Sequence, residues 1–98
     1  MKNPMDRQLE KRLSDRAVAI GREGEVAGFG ELLELLQSSS NNARRLSASA
    51  LGKLAGLGVD QTTAVTALGP VARRDPHPQT RQYAIKALNR KQSKPTRL

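Results

Sequence analysis

The sequence predicts an all-α protein of about five helices. Leu and Ala together supply 25 of the 36 hydrophobic residues, whereas Val and Ile supply 7, so helix formers fill the apolar positions. These residues recur at the spacing of an amphipathic helix, in segments that Gly, Pro, Ser and Asn separate. A chain of 98 residues forms at most one small domain. We expect that domain over residues 1–91, and a basic, disordered tail over residues 92–98.

The first three elements follow from the apolar spacing and from the residues that interrupt it. A first helix is predicted over residues 4–21, with Gly21 as its stop. The glycines of residues 22–30 indicate a connection, and the leucines that follow predict a short helix over residues 29–37. Ser and Asn residues at 38–42 are typical of a turn that supplies a helix N-cap.

The second half of the chain predicts three more helices. The third covers residues 42–55 and ends at a pair of glycines. The fourth begins after Asp60, which is a suitable N-cap, and contains Pro70. That proline lacks an N–H and crowds the preceding turn, so we expect a kink there. A turn rich in proline at residues 75–78 leads to the fifth helix, over residues 78–91.

The third and fifth helices form an internal repeat. Residues 43–53 align with residues 80–90 at an offset of 37, and each copy follows a helix and a short turn. A period of this length, made of helix, turn and helix, is typical of an α-solenoid, in which each unit buries its apolar face against the next. The alternative is two unrelated amphipathic helices that share Ala-Leu pairs.

The run that begins at Asp75 and reads DPHPQTRQYAIKAL resembles the turn and second helix of a HEAT repeat, especially of the phycobilisome-lyase-like branch. That family has a recurrent Asp in the turn and an Arg six residues later, as Asp75 and Arg81 are here; the earlier copy has Arg44 but Ser38 in place of the Asp. The resemblance covers residues 29–91. It implies a short right-handed α-solenoid of two HEAT-like hairpins capped by the first helix, with both arginines bracing the turns.

Charge is distributed unevenly along the chain. Residues 1–40 carry 6 basic and 7 acidic side chains, whereas residues 41–98 carry 11 basic and 2 acidic ones. A surface of this sign attracts phosphates, acidic protein patches or anionic lipid head groups. In the two repeat helices, polar and basic residues recur every four positions, so each set lies on one face. We call these six residues the basic row: Arg45, Ser49, Lys53, Gln82, Lys86 and Arg90.

The resemblance implies that the basic row lines the concave side of the solenoid, where partners bind. We therefore predict a non-enzymatic protein interaction module, a scaffold or adaptor, whose basic row binds an acidic partner protein. The alternative is a protein that binds the phosphate backbone of nucleic acid, and steep salt dependence would distinguish it. An open end after the fifth helix predicts weak self-association or stacking on another chain.

Enzymatic chemistry has little support in the sequence. His77 lies between two prolines near Asp75, but nothing places a serine against it, so we predict no catalytic residues. The chain has no cysteine and a single histidine, so we predict neither a metal site nor a cofactor. Apolar stretches are too short for a membrane span or a secretory signal, and we therefore expect a cytoplasmic protein that does not bind membranes.

Overall fold

The structure is a computed structural model that describes residues 7–92. Within this range the chain forms five α-helices and no strand: α1 Arg7–Glu23, α2 Phe29–Leu35, α3 Asn41–Gly56, α4 Gln61–Arg74 and α5 Pro78–Gln92. A short 3₁₀ turn, Val26–Gly28, precedes α2. The all-α class is thus confirmed. Residues 4–6 of the predicted first helix and residues 93–98 of the predicted tail lie outside the described residues, and residue 92 belongs to α5.

The end of α1 differs from the prediction. The helix continues past Gly21 to Glu23, and Gly24, with φ +64°, then takes the left-handed conformation that ends many helices. Gly21 has a different role, because a Cβ at this position would lie 2.8 Å from the Cβ of Ala50 in α3. The glycine therefore lets two helices approach closely, and it does not stop its own helix.

The predicted caps of α3 and α4 are confirmed. The Oγ of Ser40 accepts a hydrogen bond from the backbone N–H of residue 43 at 3.1 Å, and Oδ1 of Asp60 accepts one from residue 63 at 3.3 Å. Pro70 does not interrupt α4, which continues to Arg74. Its ring removes the hydrogen bond to the carbonyl of Thr66, and both residues are exposed.

The helices pack around α3. α1 and α5 lie on either side of it, α2 packs on α3, and α4 packs mainly on α5. Two close contacts of the same kind join the three neighbouring helices: Gly21 of α1 meets Ala50 of α3, and Gly52 of α3 meets Ala87 of α5. The largest fully buried apolar side chains are Ile20, Leu32, Leu51, Leu54 and Leu68. None of the helices in residues 7–92 has the length and apolar character needed to cross a bilayer.

Candidate binding surface

The turns before α3 and α5 are built alike. Nη1 of Arg44 donates to the carbonyl of Ser38 at 2.9 Å, and Nη1 of Arg81 donates to the carbonyl of Asp75 at 2.6 Å. In each turn, the side-chain oxygen of Ser38 or Asp75 also accepts the backbone N–H two residues later. The prediction that both arginines brace the turns is therefore confirmed, and Ser38 replaces Asp75 in the first turn without loss of this local hydrogen bond.

Arg44 also joins α3 to the turn before α5. Its Nε donates to Oδ2 of Asp75 at 2.7 Å, and its Nη2 donates to Oδ1 at 3.1 Å. The side chains of Arg44 and Asp75 are 14% and 5% exposed, so this two-pronged ion pair is nearly buried. Burial raises the pKa of the Asp75 carboxyl, but the hydrogen bonds from Arg44 and from the His77 N–H outweigh it, and the pKa lies below its ordinary value.

Three members of the basic row meet in one surface pocket between α3 and α5. Ser49 of α3 lines it together with Lys86 and Arg90 of α5, and Tyr83 and Ala87 complete its wall. All five lining residues come from the two repeat helices, and none is acidic. One hydroxyl from α3 and two cationic side chains from α5 thus surround one opening.

Arg45 lies beside this pocket. Its guanidinium stacks over the ring of Tyr83, 5.1 Å from the centroid, and its Nη2 donates to Oδ1 of Asn42 at 2.8 Å. The buried Nε of Arg45 has no acceptor among the described residues. Contacts with Tyr83 and Asn42 therefore orient the side chain of Arg45. Sequence reasoning did not select Tyr83, although a tyrosine next to a row of cations is a signal for such stacking.

The remaining two members of the basic row lie apart from the pocket. Lys53 is half-buried, and its Cδ lies 3.5 Å from the position that a Cβ on Gly21 would take, so its side chain runs along α1. Gln82 is exposed, and it makes no hydrogen bond to another described residue. The structure therefore brings together Ser49, Lys86 and Arg90, places Arg45 next to them through Tyr83, and leaves Lys53 and Gln82 separate.

No acidic residue of α3 or α5 offsets the positive charge of the basic row. Neither helix contains an acidic residue. Of the two carboxylates in the second half of the chain, Asp60 caps α4 and Asp75 is bound by Arg44. Within residues 7–92, neither Lys53 nor Lys86 forms a salt bridge. The ammonium groups of Lys53 and Lys86 are thus available to an outside anion.

Three carboxylates of the first half, those of Glu10, Glu25 and Glu31, have partners within the chain. Glu10 of α1 accepts a hydrogen bond from the Oγ of Ser40 at 2.6 Å. Arg16 donates to Glu25 and to Glu31, through two nitrogen–oxygen contacts with each carboxylate, at 3.0 to 3.2 Å. These bonds attach α1 to α2, to the connection between them and to the start of α3.

The groups considered for catalysis are structural or exposed. The side chain of His77 is exposed and contacts no serine hydroxyl in the described part of the chain, while its backbone N–H binds Asp75. Ser38 and Ser40 form the turn and the cap before α3. Over residues 7–92, no three His, Asp or Glu side chains come close enough to hold a metal ion.

Comparison of the chain with protein-family models, with curated proteins and with solved structures gives no match. The resemblance to HEAT repeats therefore rests on the residues of the chain itself.

Proposed function

We propose that the protein is a non-enzymatic interaction module, a short right-handed α-solenoid of the HEAT type, whose basic row binds an acidic segment of another protein. Two repeated features support the solenoid arrangement. The first is the Gly–Ala contact, made by α1 with α3 and again by α3 with α5. The second is the arginine-to-carbonyl hydrogen bond six residues back, made in both turns.

The pocket between α3 and α5 carries the proposal. Ser49, Lys86 and Arg90 line it, and no acidic residue does. A carboxylate that enters there accepts a hydrogen bond from the hydroxyl and lies near two cations. Arg45, stacked on Tyr83, adds a further cation beside the pocket. An acidic segment that crosses from α5 to α3 thus passes one cation after another.

The side chains that would bind the acidic segment are exposed to solvent, and this exposure limits the strength of binding. Exposed ion pairs contribute about 0.2–1 kcal/mol each, so a few of them give weak binding that added salt reduces. A segment with apolar side chains between its carboxylates gains more, because the wall of the pocket includes the ring of Tyr83 and the methyl of Ala87.

Fluorescence anisotropy with a labelled oligoglutamate peptide tests the proposal. The variant reverses two charges in the pocket, Lys86→Glu with Arg90→Glu. Its matched control reverses two exposed charges at the end of α4, Arg73→Glu with Arg74→Glu, and so has the same net charge. We expect the pocket variant to lose binding and the control to keep most of it, with both folded by circular dichroism.

Equal loss in the two variants would contradict the proposal, since it would show attraction to net charge without a defined surface. A labelled mixed-sequence DNA duplex, titrated over a salt series, tests the alternative. Tighter binding of the duplex than of the peptide, with a log-log salt slope of about −0.9 per neutralised phosphate, would replace the acidic protein by nucleic acid.

A further inference from the structure

The pocket between α3 and α5 differs in charge from two other pockets on the described surface. A pocket between α1 and α3 includes the carboxylate of Glu10, and a pocket beside α4 includes that of Asp75. The lining of the α3–α5 pocket has no carboxylate. Its volume of about 220 Å³ is smaller than the roughly 300–1,000 Å³ of sites for drug-sized ligands. The pocket therefore suits one small anionic group.

Three side chains of this pocket are hydrogen-bond donors. Ser49 supplies a hydroxyl and Lys86 an ammonium group, and neither has a hydrogen-bond partner among the described residues. Arg90 supplies a guanidinium, whose five N–H groups serve more than one acceptor. The donors come from two helices, so an anion in the pocket is bound from both sides.

The charge around the pocket exceeds what one carboxylate neutralises. Lys86 and Arg90 line it, and Arg45, stacked on Tyr83, is a further cation beside it. A carboxylate has one negative charge and two oxygens. A phosphate monoester carries about −1.5 to −2 at pH 7 and has three terminal oxygens. The monoester therefore matches both the cations and the three donors, whereas each phosphate of a nucleic acid backbone has a single charge.

We propose that the α3–α5 pocket binds a phosphate monoester, and that the acidic partner segment carries it as a phosphorylated side chain. Ser49 donates to one terminal oxygen, and Lys86 and Arg90 bind the other two. The ring of Tyr83 and the methyl of Ala87 contact the carbon that bears the phosphate. This inference rests on the proposed function, because it specifies the group that the pocket accepts.

Two labelled peptides of equal net charge test the inference by fluorescence anisotropy at pH 7.5. One carries a single phosphoserine, and the other carries two glutamates in the same surroundings. We expect the phosphopeptide to bind about tenfold more tightly, since hydrogen bonds to charged groups are strong, and its unphosphorylated form not to bind. Lys86→Glu with Arg90→Glu should abolish binding, whereas the control Arg73→Glu with Arg74→Glu should keep most of it.

The pH dependence of binding separates phosphate from carboxylate. A phosphate monoester has a second pKa of about 6, and the pocket is lined by no His, Asp or Glu. Lowering the pH from 7.5 to 5.5 reduces the dianion about fourfold, so we expect the affinity for the phosphopeptide to fall by up to this factor. The affinity for the glutamate peptide should change by less than about 1.5-fold. Parallel pH profiles would overturn the inference.

The substitution Ser49→Ala removes one donor without changing the net charge. We expect the affinity for the phosphopeptide to fall about tenfold, with an unchanged circular dichroism spectrum. Thr62→Ala removes an exposed hydroxyl of α4 and is the matched control, for which we expect no loss. Equal affinities of the two variants would contradict the role of Ser49 in the pocket.

The remaining outcomes distinguish this inference from the proposed function. Equal affinities for the two peptides, both lost in the pocket variant, would overturn the phosphate site and leave the proposed function standing. Absence of binding to either peptide would overturn both. A mixed-sequence DNA duplex that binds more tightly than the phosphopeptide, and that the pocket variant no longer binds, would assign the pocket to nucleic acid and contradict a phosphorylated protein partner.

Discussion

The ion pair between Arg44 and Asp75 allows the sharpest stability prediction. The substitution Arg44→Met removes two hydrogen bonds to the carboxylate and one to the carbonyl of Ser38. It leaves Asp75 nearly buried, with the N–H of His77 as its remaining donor. Breaking one side of a buried ion pair costs about 3–5 kcal/mol. Since Arg44 is 14% exposed, we expect the lower end, about 3 kcal/mol.

This loss is large for a chain of 98 residues, because domains of this size have a free energy of unfolding of about 5–15 kcal/mol. It corresponds to a fall in Tm of about 12–24 °C, at roughly 4–8 °C per kcal/mol. Urea unfolding followed by circular dichroism measures it, and the method suits a helical protein without tryptophan.

The control is Arg81→Met, which removes one hydrogen bond to a carbonyl and strands no carboxylate, so that we expect a loss of about 1 kcal/mol. A double-mutant cycle of Arg44→Met with Asp75→Asn isolates the pair, and we expect a coupling energy of about 2 kcal/mol. A coupling below about 0.5 kcal/mol, or equal losses for the two arginines, would refute the reasoning.

Three further perturbations test other parts of the fold. The folded pKa of Asp75 lies below its ordinary value of 3.8, so its stabilising effect is complete above that value and is lost as the pH falls through the folded pKa. Urea unfolding at stepwise pH is therefore expected to show a steeper acid loss in the natural chain than in Asp75→Asn, and parallel curves would contradict this. Gly52→Ala forces a methyl group against α5 and is expected to cost about 1–3 kcal/mol. Gly30→Ala, where the space is open, is expected to be neutral or stabilising by about 0.5–1 kcal/mol, and similar melting curves for the two variants would show that the helices do not meet as closely as described. Ser40→Ala loses the cap of α3 and the bond to α1, with an expected cost of about 1–2 kcal/mol, whereas Ser39→Ala at the exposed neighbour is expected to change thermal stability little; equal effects would rule out the cap.

The sequence predicted the helices well because their signals are local. Apolar spacing located all five, and a capping side chain marked the starts of two. The role of Gly21 could not be predicted in the same way, since a glycine that ends a helix and one that faces a neighbouring helix look alike within a short window. Only the partner, Ala50 on α3, distinguishes them, and the local sequence does not contain it.

The candidate site likewise combines features that the local sequence predicts with features that depend on residues distant in the chain. The offset of 37 residues pairs Ser49 with Lys86, two residues that line one pocket. It did not reveal that Arg45 stacks on Tyr83, which depends on how the two helices lie against each other. Nor did it show that Arg44 reaches Asp75, a residue 31 positions away in the next turn.

The difference between the two turns also bears on how the chain avoids misfolding. Leu13 lies eight residues before Gly21 on α1, and Arg44 lies eight residues before Gly52 on α3. The two residues therefore occupy equivalent positions relative to the close glycine contacts. Leu13 packs against the buried core, and the turn before α3 has Ser38 where the turn before α5 has Asp75. A hairpin of α4 and α5 that docked on α1 by mistake would bury the carboxylate of Asp75 against a leucine, at a high cost in desolvation. The carboxylate of Asp75 thus disfavours this alternative packing of the hairpin on α1.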